Sequence, residues 1–503
     1  MHSFKRIGVI GSGAMGRGIA QLFASAGIPV LLHDSRPEAI EQALAYNRQQ
    51  FERLASKGKL DADGLGVALA CLQPAPALAD LADCDLLIEA IIEQLEAKQD
   101  LFRQLETLVG TDAVLASNTS SLSIGAIASG CRHPERVAGL HFFNPVPLMK
   151  IVEVVRGERT AAQVIERLSA LAEHAGHYAA VTPDSPGFLV NHAGRAYGPE
   201  ALRILAEGIA TPAQIDRILK DSLGFRMGPF ELFDLVGLDV SHAVMESMHQ
   251  QFYQDPRYAP SPLVPPRLAA GLLGRKSGQG FYRYLDGVLQ APEPQAVAVV
   301  TLTRPFWLDS RDPSVREQVG AVLERAGARL EEGLQPSEQA ICLVTPLGED
   351  ASTVIARKLL PPVRTLALET FAGFDRRRVL MRQPALDAEV LAQARTALGG
   401  DGVAVEVIND SPGFIAQRVL ASIVNLGCEI AQRGIAEPQT LDQAVQLALG
   451  YPHGPLAFGD RHGPELILQI LQGMHGVYQE PRYRVSPWLR RRVQLGLPLT
   501  ALE

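Results

Sequence analysis

A histidine and a glutamate stand 12 residues apart in the stretch GLHFFNPVPLMKIVEVV, at positions 141 and 153. Between them Asn144-Pro145-Val146-Pro147 has the composition of a turn, and Lys150 to Val155 alternates as a strand does, with Ile151, Glu153 and Val155 on one face. A carboxylate sharing a face with two aliphatic side chains costs about 2–5 kcal/mol unless something compensates it. His141, at the end of the preceding apolar run and across the turn, is a reachable partner. An imidazole held by such an acid has its tautomer fixed and its other nitrogen free to accept a proton, and the imidazolium that forms is stabilised. That is the chemistry of a general base removing a hydroxyl proton. His2, His33, His133, His174, His177 and His249 have no comparable context.

If an alcohol loses that proton, its carbinol carbon must also lose a hydride, and a nicotinamide is the natural acceptor. The N-terminal segment supplies a cradle for one. Arg6 to Ile10 is a short apolar run, followed by Gly11-Ser12-Gly13-Ala14-Met15-Gly16 and then the helix-like RGIAQLFASAG. In this G-x-G-x-x-G spacing Gly11 permits the tight turn, Gly13 lets the backbone approach a pyrophosphate and Gly16 lets the helix pack on its strand. The anion then sits on a helix N-terminus. Asp34 closes the second apolar run 23 residues after Gly11, where a carboxylate accepts both ribose hydroxyls and repels a 2′-phosphate, which predicts NAD as the cofactor rather than NADP.

These residues need a sheet to hold them. Apolar runs at Asp85 to Ile92, Ala113 to Thr119 and Arg136 to Phe143 each follow a helical segment, so the first domain is expected to be a doubly wound, mostly parallel α/β Rossmann sheet. Ligands collect at the carboxyl ends of such strands, where Glu93, Asn118, Ser120 and His141 fall. The segment from Pro37 to about Leu72 is too long for a simple crossover and reads as an inserted helical hairpin, whose tip offers Lys57 and Lys59 to a phosphate or to solvent.

From Asp184 the pattern turns helical, and DSPGFLVN at 184 is answered by DSPGFIAQ at 410, an offset of 226. The offset carries Gly224 to Gly450, Gly228-Pro229 to Gly454-Pro455 and Asp234 to Asp460, and DPRY at 255 then meets EPRY at 480. An all-helical unit of about 95 residues is duplicated. The segment between has two strand-like runs, at Ala340 to Pro346 and Val363 to Phe371, and a helical one at Asp387 to Leu398, but no glycine loop precedes them. The position answering His141 is about Glu369, and Gln417 stands where the first copy has Asn191. The expected organisation is therefore a Rossmann domain over 1–183, an all-helical domain over 184–283, a Pro-rich linker over 284–296, a degenerate α/β segment over 297–409 and a second helical copy over 410–503.

Composition excludes several classes of function. At 503 residues, 47% hydrophobic and 20% charged, the chain is a multidomain globular protein. A net charge of -8 argues against nucleic-acid binding. The five scattered cysteines form no C-x-x-C pair, so neither a disulfide framework nor a metal site is expected, and a reducing cytoplasm fits. No stretch of 18 apolar residues would span a membrane, and the first residues lack a signal peptide's apolar run.

IGSGAMG, ASNTSSLSI, HFFNPVPLMKIVEVV, DSPGFLVN and MGPFELFDLVGLD, in this order over about residues 5 to 285, resemble the NAD-dependent 3-hydroxyacyl-CoA dehydrogenases. The resemblance implies a catalytic pair at His141 and Glu153, a substrate-oxygen ligand at Ser120 and an assisting amide at Asn191. It further implies NAD contacts at Met15, Asp34, Glu93, Lys98, Ser120 and Asn144, beside those of Gly11, Gly13 and Gly16, and a 3-hydroxyacyl-CoA substrate, for whose phosphates Lys57 is offered by its place at the hairpin tip. In that family helical domains of two subunits pair, which implies an internal pseudo-dimer of the two copies here, with room for a homo-oligomer. Chains of this length with a degenerate second half resemble the 3-hydroxyadipyl-CoA dehydrogenases of phenylacetate breakdown, and 3-hydroxybutyryl-CoA or general β-oxidation activity is the alternative. Arg195, one helical turn after Asn191, is a candidate for a terminal carboxylate, against the plainer and favoured reading of an ion pair with a nearby acid such as Glu200. Two further readings compete. The β-hydroxyacid and 6-phosphogluconate dehydrogenases carry a lysine on the interdomain helix, which PGFLVNHAGRAYG lacks, and a non-catalytic NADH-responsive protein would have no need of both His141 and Glu153.

Overall fold

The computed structural model describes residues 4–294, 299–310 and 312–502. They divide into two compact units, one reaching to His192 and including Arg433–Leu449, the other formed by Ala193–Gln432 and the chain from Gly450.

The first unit is a doubly wound sheet of eight strands: β1 (Ile7–Ile10), β2 (Val30–His33), β3 (Leu72–Pro74), β4 (Leu86–Glu89), β5 (Val114–Ser117), β6 (Val137–Phe142), β7 (Ile151–Arg156) and β8 (Tyr178–Pro183). Their order is β3-β2-β1-β4-β5-β6-β7-β8, and every pairing is parallel except β6 with β7. The central strands are apolar on both faces because both are covered. Ile7, Val9, Leu86 and Ile88 pack with Phe23 of α1 (Ala14–Ser25) and, through the same cluster, Leu168 of the helix Ala162–His174. Ile10, Leu87 and Leu115 face the other way, toward Phe102 of the helix Leu95–Leu108 and Ile127 of the short helix Ile124–Ala128. Helices Pro37–Ser56 and Ala62–Cys71 form the expected hairpin, with Asp61 capping the second through Gly64 N. The helix Pro438–Leu449 also belongs to this unit and packs on β8, the edge strand, where Thr182 Oγ1 donates to Ile435 O at 3.4 Å. Covering an edge strand satisfies a surface that would otherwise stay open. The sequence expectation kept 410–503 as one block, and periodicity alone could not reveal that its middle packs elsewhere.

The second unit contains a smaller sheet of six strands, β11 (Phe306–Asp309), β12 (Leu330–Glu331), β13 (Ile341–Val344), β14 (Thr365–Leu368), β15 (Arg378–Arg382) and β16 (Val405–Asn409), once β9 (Arg283–Leu285) and β10 (Val288–Gln290) are counted as a separate hairpin. Its order is β12-β11-β13-β14-β15-β16, and its single antiparallel step, β14 with β15, matches that of β6 with β7. The hairpin occupies much of the segment expected to be a plain linker. Gln295, Ala296 and the first residues of the α/β segment, Val297 and Ala298, lie outside the described residues. After β11 the helix Pro313–Arg325 begins on Asp312, whose carboxylate accepts from Ser314 N at 2.9 Å. That acid fills the helix end that α1 leaves to Gly13, and it would repel a pyrophosphate.

The helical copies repeat their internal fastenings. Asp234 accepts from Phe281 N and Tyr282 N, and Asp460, 226 positions later, accepts from Leu499 N and Thr500 N. The helix Ala416–Gln432, buried nearly all round, packs on its own copy and on Gly198–Ala206 and Pro212–Leu223 of the first. Phe225 and Tyr451, equivalent by the same offset, meet edge to face with ring centroids 5.1 Å apart.

Candidate active site

The antiparallel step brings His141 and Glu153 together. The register of β6 and β7 sets them directly opposite, and His141 Nδ1 lies 2.5 Å from Glu153 Oε2. A carboxylate can only accept, so Nδ1 carries the proton and Nε2 is left as the basic nitrogen. Glu153 is 0% exposed and His141 6%. The other carboxylate oxygen, Oε1, accepts from the backbone amides of Leu189 (2.9 Å) and Val190 (2.7 Å). Three donors therefore offset the desolvation of Glu153. The turn just before them makes this possible: Gly187 and Phe188 both take positive φ, 73° and 49°, which aims the first free N–H groups of the helix Val190–Ala193 at the acid. Phe143 and Phe188 flank the imidazole at 4.6 and 5.9 Å between centroids, giving it an apolar surround.

Ser120 follows β5 in the loop Asn118 to Ser121, and Asn191 Nδ2 reaches its carbonyl at 3.4 Å. The adjacent Asn118 Oδ1 accepts from Phe142 N at 2.9 Å, tying the end of β5 to the residue after His141. Ser120, Asn191, His141 and Glu153 thus fall in one neighbourhood at the carboxyl ends of β5 and β6, as the winding requires. Glu93 and Lys98 join it from the segment after β4, with Lys98 Nζ 3.2 Å from Glu93 Oε2 and 2.5 Å from Glu89 Oε1. Burial works against the Glu93 anion, but Lys98 and the donors of the Ser120 loop outweigh it and hold the carboxyl below its ordinary range. Asn144 is exposed after β6, and Lys57 is exposed at the tip of the helical hairpin, apart from the residues grouped here.

The glycine loop fits a dinucleotide. Gly11 has φ 99°, and a Cβ there would lie 2.4 Å from Ala90 O; at Gly16 it would lie 1.7 Å from Gly11 O. Over Gly13 the space is open, with nothing within 4 Å of an added Cβ, and no side chain caps α1, which leaves its N-terminal amides for an anion. Met15 lies partly buried in the first turn of α1. Asp34 accepts from Ser12 N (2.9 Å), Ser12 Oγ (2.8 Å) and Arg36 N (3.1 Å). Burial alone would raise its pKa, but those bonds prevail and lower it, so an ionised acceptor stands at the end of β2. Among the described residues no group of three His, Cys, Asp or Glu is arranged to hold a metal ion.

The second copy builds something else at the matching place. Glu369 N donates to Val379 O at 2.9 Å, so Glu369 stands across from Val379 as His141 stands across from Glu153. Glu369 Oε1 accepts from Phe371 N and from Gln417 Nε2, while Gln417 also bonds Gly348 N and Pro346 O. The amide is consumed internally and no imidazole is paired with the acid.

The helix holding Asn191 ends at Ala193 and gives way to a 3-10 turn, Gly194–Ala196. Arg195 lines a small cavity of the second unit with Glu200, the acid offered as its plainer partner, and with Arg257, Glu429 and Arg482, and burial pushes its guanidinium down to about 10. The features missed from sequence are the Leu189 and Val190 amides and the Glu89–Lys98–Glu93 chain. The Gly in DSPGF was the available signal for the first.

A Rossmann sheet, a dinucleotide cradle and an acid-held imidazole at the strand ends define an NAD-dependent oxidoreductase acting on a CH–OH group. The chain belongs to the 3-hydroxyacyl-CoA dehydrogenase family: its model for the NAD binding domain matches residues 6–185, and that for the C-terminal domain matches 187–284 and 413–500. The chain is 37% identical over 500 residues to the 3-hydroxyadipyl-CoA dehydrogenase of Escherichia coli K12, covering 98% of each. It is 42% identical over 279 residues to a probable 3-hydroxybutyryl-CoA dehydrogenase of Deinococcus radiodurans, covering 56% of this chain and all of that one. A crystal structure of 3-hydroxybutyryl-CoA dehydrogenase from Escherichia coli K12 matches with a TM-score of 0.85 at 36% identity, over 98% of this chain and 99% of that one.

Proposed function

We propose that the chain oxidises the 3-hydroxyl of a 3-hydroxyacyl-CoA to the 3-oxo thioester, with 3-hydroxyadipyl-CoA as the favoured substrate. The observation that carries the reaction is the His141–Glu153 pair, with Nδ1 on the acid and Nε2 bonded to no group among the described residues. His141 takes the hydroxyl proton, Glu153 stabilises the imidazolium, and the Ser120 hydroxyl and the Asn191 amide hold the oxygen as it becomes a carbonyl. NAD held by the Gly11–Gly16 loop and Asp34 would supply the hydride acceptor for C3, so that the same carbinol gives up a proton to His141 and a hydride to the cofactor and ends as the 3-oxo thioester. Gly11, Gly13, Met15, Gly16, Asp34, Glu93, Lys98, Ser120 and Asn144 are assigned to cofactor binding, and Lys57 to the anionic end of the substrate.

Full-length similarity to an enzyme named for 3-hydroxyadipyl-CoA supports the dicarboxylic substrate. A full-length solved relative named for 3-hydroxybutyryl-CoA supports the shorter one as a second reading. NADH formation from paired 3-hydroxyadipyl- and 3-hydroxybutyryl-CoA decides between them: a higher kcat/KM for the adipyl ester is expected, and equal values would remove the preference. We assign 1–183 to NAD binding, 184–283 and 410–503 to the two helical copies and 297–409 to a scaffold that has lost its cofactor loop. The helical copies form an internal pseudo-dimer on this reading. In a two-fold interface a residue on the axis meets its own equivalent, which is what Phe225 and Tyr451 do. No helix among the described residues is long and apolar enough to cross a membrane, and we assign the protein to the cytoplasm.

A further inference from the structure

The last strand of each sheet is fastened in the same way, by a segment of the helical copy that belongs to the other half. In the second half β16 is held by the first copy: Asn409 N donates to Ile209 O at 2.9 Å and Asn409 Nδ2 to Gly208 O at 2.8 Å. In the first half β8 meets Ile435, which is Ile209 moved on by 226. The residue that matches Asn409 there is Pro183, which has no N–H to give, and the neighbouring Thr182 hydroxyl reaches Ile435 O instead, at 3.4 Å. The first copy's own helix at this place, Pro212–Leu223, is already committed to β16, where Gln214 Nε2 donates to Val407 O at 3.1 Å and Arg217 Nε to Glu406 Oε1 at 2.8 Å. The helix that packs on β7 and β8 is therefore Pro438–Leu449, from the copy without a catalytic pair.

Its place on the sheet bears on the acid. β7 and β8 are parallel, with Glu153 beside Ala180 and Val155 beside Thr182, so these four side chains leave the same face. The bond from Thr182 to Ile435 puts the second copy on that face, and Ala180 and Thr182 are both buried there although β8 is an edge strand. β8 also runs directly into the DSPGF turn, whose Leu189 and Val190 amides hold Glu153 Oε1. A shift of β8 thus reaches the acid twice, through the strand beside it and through the amides in front of it. We propose that segment 435–449 of the second copy is a positioning element for Glu153, so that proton transfer in the first half depends on a helix supplied by the half that has lost its own site. A misplaced acid would let the imidazole turn away from the substrate oxygen, and small errors of placement cost rate steeply. The glycine loop opens from β1, well away from β8 in the strand order, so cofactor binding should not feel the change.

The duplication provides a matched pair of variants. Gly434 and Gly208 open the two exchanged segments with φ of 65° and 69°, and an added Cβ meets nothing within 4 Å at either. Valine at such a φ is strained by its own backbone, so Gly434→Val and Gly208→Val disturb equivalent turns without a side-chain clash. Both should lower the Tm alike, within about 2 °C of each other. Only Gly434→Val should lower kcat, by about fivefold, with the NADH dissociation constant from fluorescence titration within about twofold of wild type in both. Equal kcat losses in the two variants, or none in Gly434→Val, would reject the positioning role, and so would a loss confined to NADH binding. The proposal rests on reading Glu153 as the acid that steadies the base, and a cycle with Glu153→Gln separates the two. That variant should lose about 100-fold in kcat, and adding Gly434→Val should cost under about twofold more. An equal cost in both backgrounds would reject the positioning role alone, whereas undiminished kcat in Glu153→Gln would remove the acid and its brace together. Should Gly434→Val fold poorly, Thr182→Val decides in its place, because it removes the donor to Ile435 and keeps the branched shape. It should lower kcat about threefold and Thr182→Ser should restore it; no loss, or a loss that serine does not restore, would reject the proposal.

Discussion

Glu369 gives the sharpest test of what the second copy became. Its carboxyl is 2% exposed, Oε2 has no hydrogen-bond partner among the described residues, and burial pushes its pKa from 4.5 up to about 7 against the smaller opposing effect of Gln417 and the nearby amides. A raised acid pKa means that the folded protein keeps a proton that the unfolded chain has already released. Stability from this group is then full below about pH 4.5, falls as pH rises toward 7 and is flat above. A difference of about 2.5 units at about 1.36 kcal/mol each gives a loss on the order of 3 kcal/mol, an upper figure because relaxation and water entry reduce it. Glu369→Gln keeps an acceptor for Gln417 and cannot titrate. Any packing cost of the amide is the same at every pH, so comparing two pH values cancels it. For a unit of about 290 residues, unfolding entropy near 2.1 cal/mol/K per residue converts 3 kcal/mol to roughly 5 °C. Because part of the loss is already complete at pH 5, differential scanning fluorimetry of both proteins at pH 5 and pH 8 should find the variant gaining about 4 °C relative to wild type between the two. The same difference in Tm at both pH values would refute the claim that a buried, proton-carrying acid has taken the place of the imidazole.

The other expectations concern the site and the interface between copies. His141→Gln should lower kcat by about 10³-fold or more while NADH binding measured by fluorescence is unchanged; turnover within tenfold of wild type would rule out His141 as the base. Asp34→Ala removes an ionised acceptor and should raise the KM for NAD about tenfold with kcat little altered, and an unchanged KM would place the ribose elsewhere. Arg418 is 0% exposed and bonds Glu200, Glu207 and Tyr478, so Arg418→Met takes one partner from the buried Glu200, which keeps Tyr483 and Arg482, and should cost the second unit about 1–3 kcal/mol in urea unfolding. A loss under about 0.5 kcal/mol would mean that Tyr483 and Arg482 suffice to hold Glu200.

Much of the site was legible because its chemistry is carried by side-chain letters in a regular pattern. Strand alternation alone put Glu153 on an apolar face, and the need to compensate it pointed to His141. The glycine spacing and Asp34 announced the dinucleotide cradle in the same way. What stayed hidden was carried by groups that have no letter of their own. The amides of Leu189 and Val190 belong to every residue type, so only the glycine of DSPGF hinted at a turn there, and no letter named Glu153 Oε1 as its acceptor. Glu93 was legible as a residue at a strand end, but the donors of the Ser120 loop converging on it are a property of the folded loop. The placement of Pro438–Leu449 against β8 and the hairpin of β9 and β10 were likewise decided by tertiary packing, which overrides local composition.

The repeated phrase DSPGF turns out to encode a backbone shape, and its use depends on what faces it. In both copies the glycine and phenylalanine take left-handed conformations, 73° and 49° at Gly187 and Phe188, 79° and 48° at Gly413 and Phe414. In both, the leading aspartate fastens a neighbouring helix start: Asp184 accepts from Gly125 N and Ser123 Oγ, Asp410 from Ala351 N and Ser352 N. A phenylalanine at positive φ is strained by about 1–3 kcal/mol, so the turn persists only where its surroundings enforce it. In the first copy the turn presents two amides to Glu153, and that acid steadies an imidazole. In the second, the place of Glu153 belongs to Val379, which accepts nothing from a side chain, and Gln417 closes the space by bonding Gly348, Pro346 and Glu369. Three exchanges, Glu153 for Val379, His141 for Glu369 and Asn191 for Gln417, thus accompany the loss of the glycine loop, while the sequence of the turn stays the same.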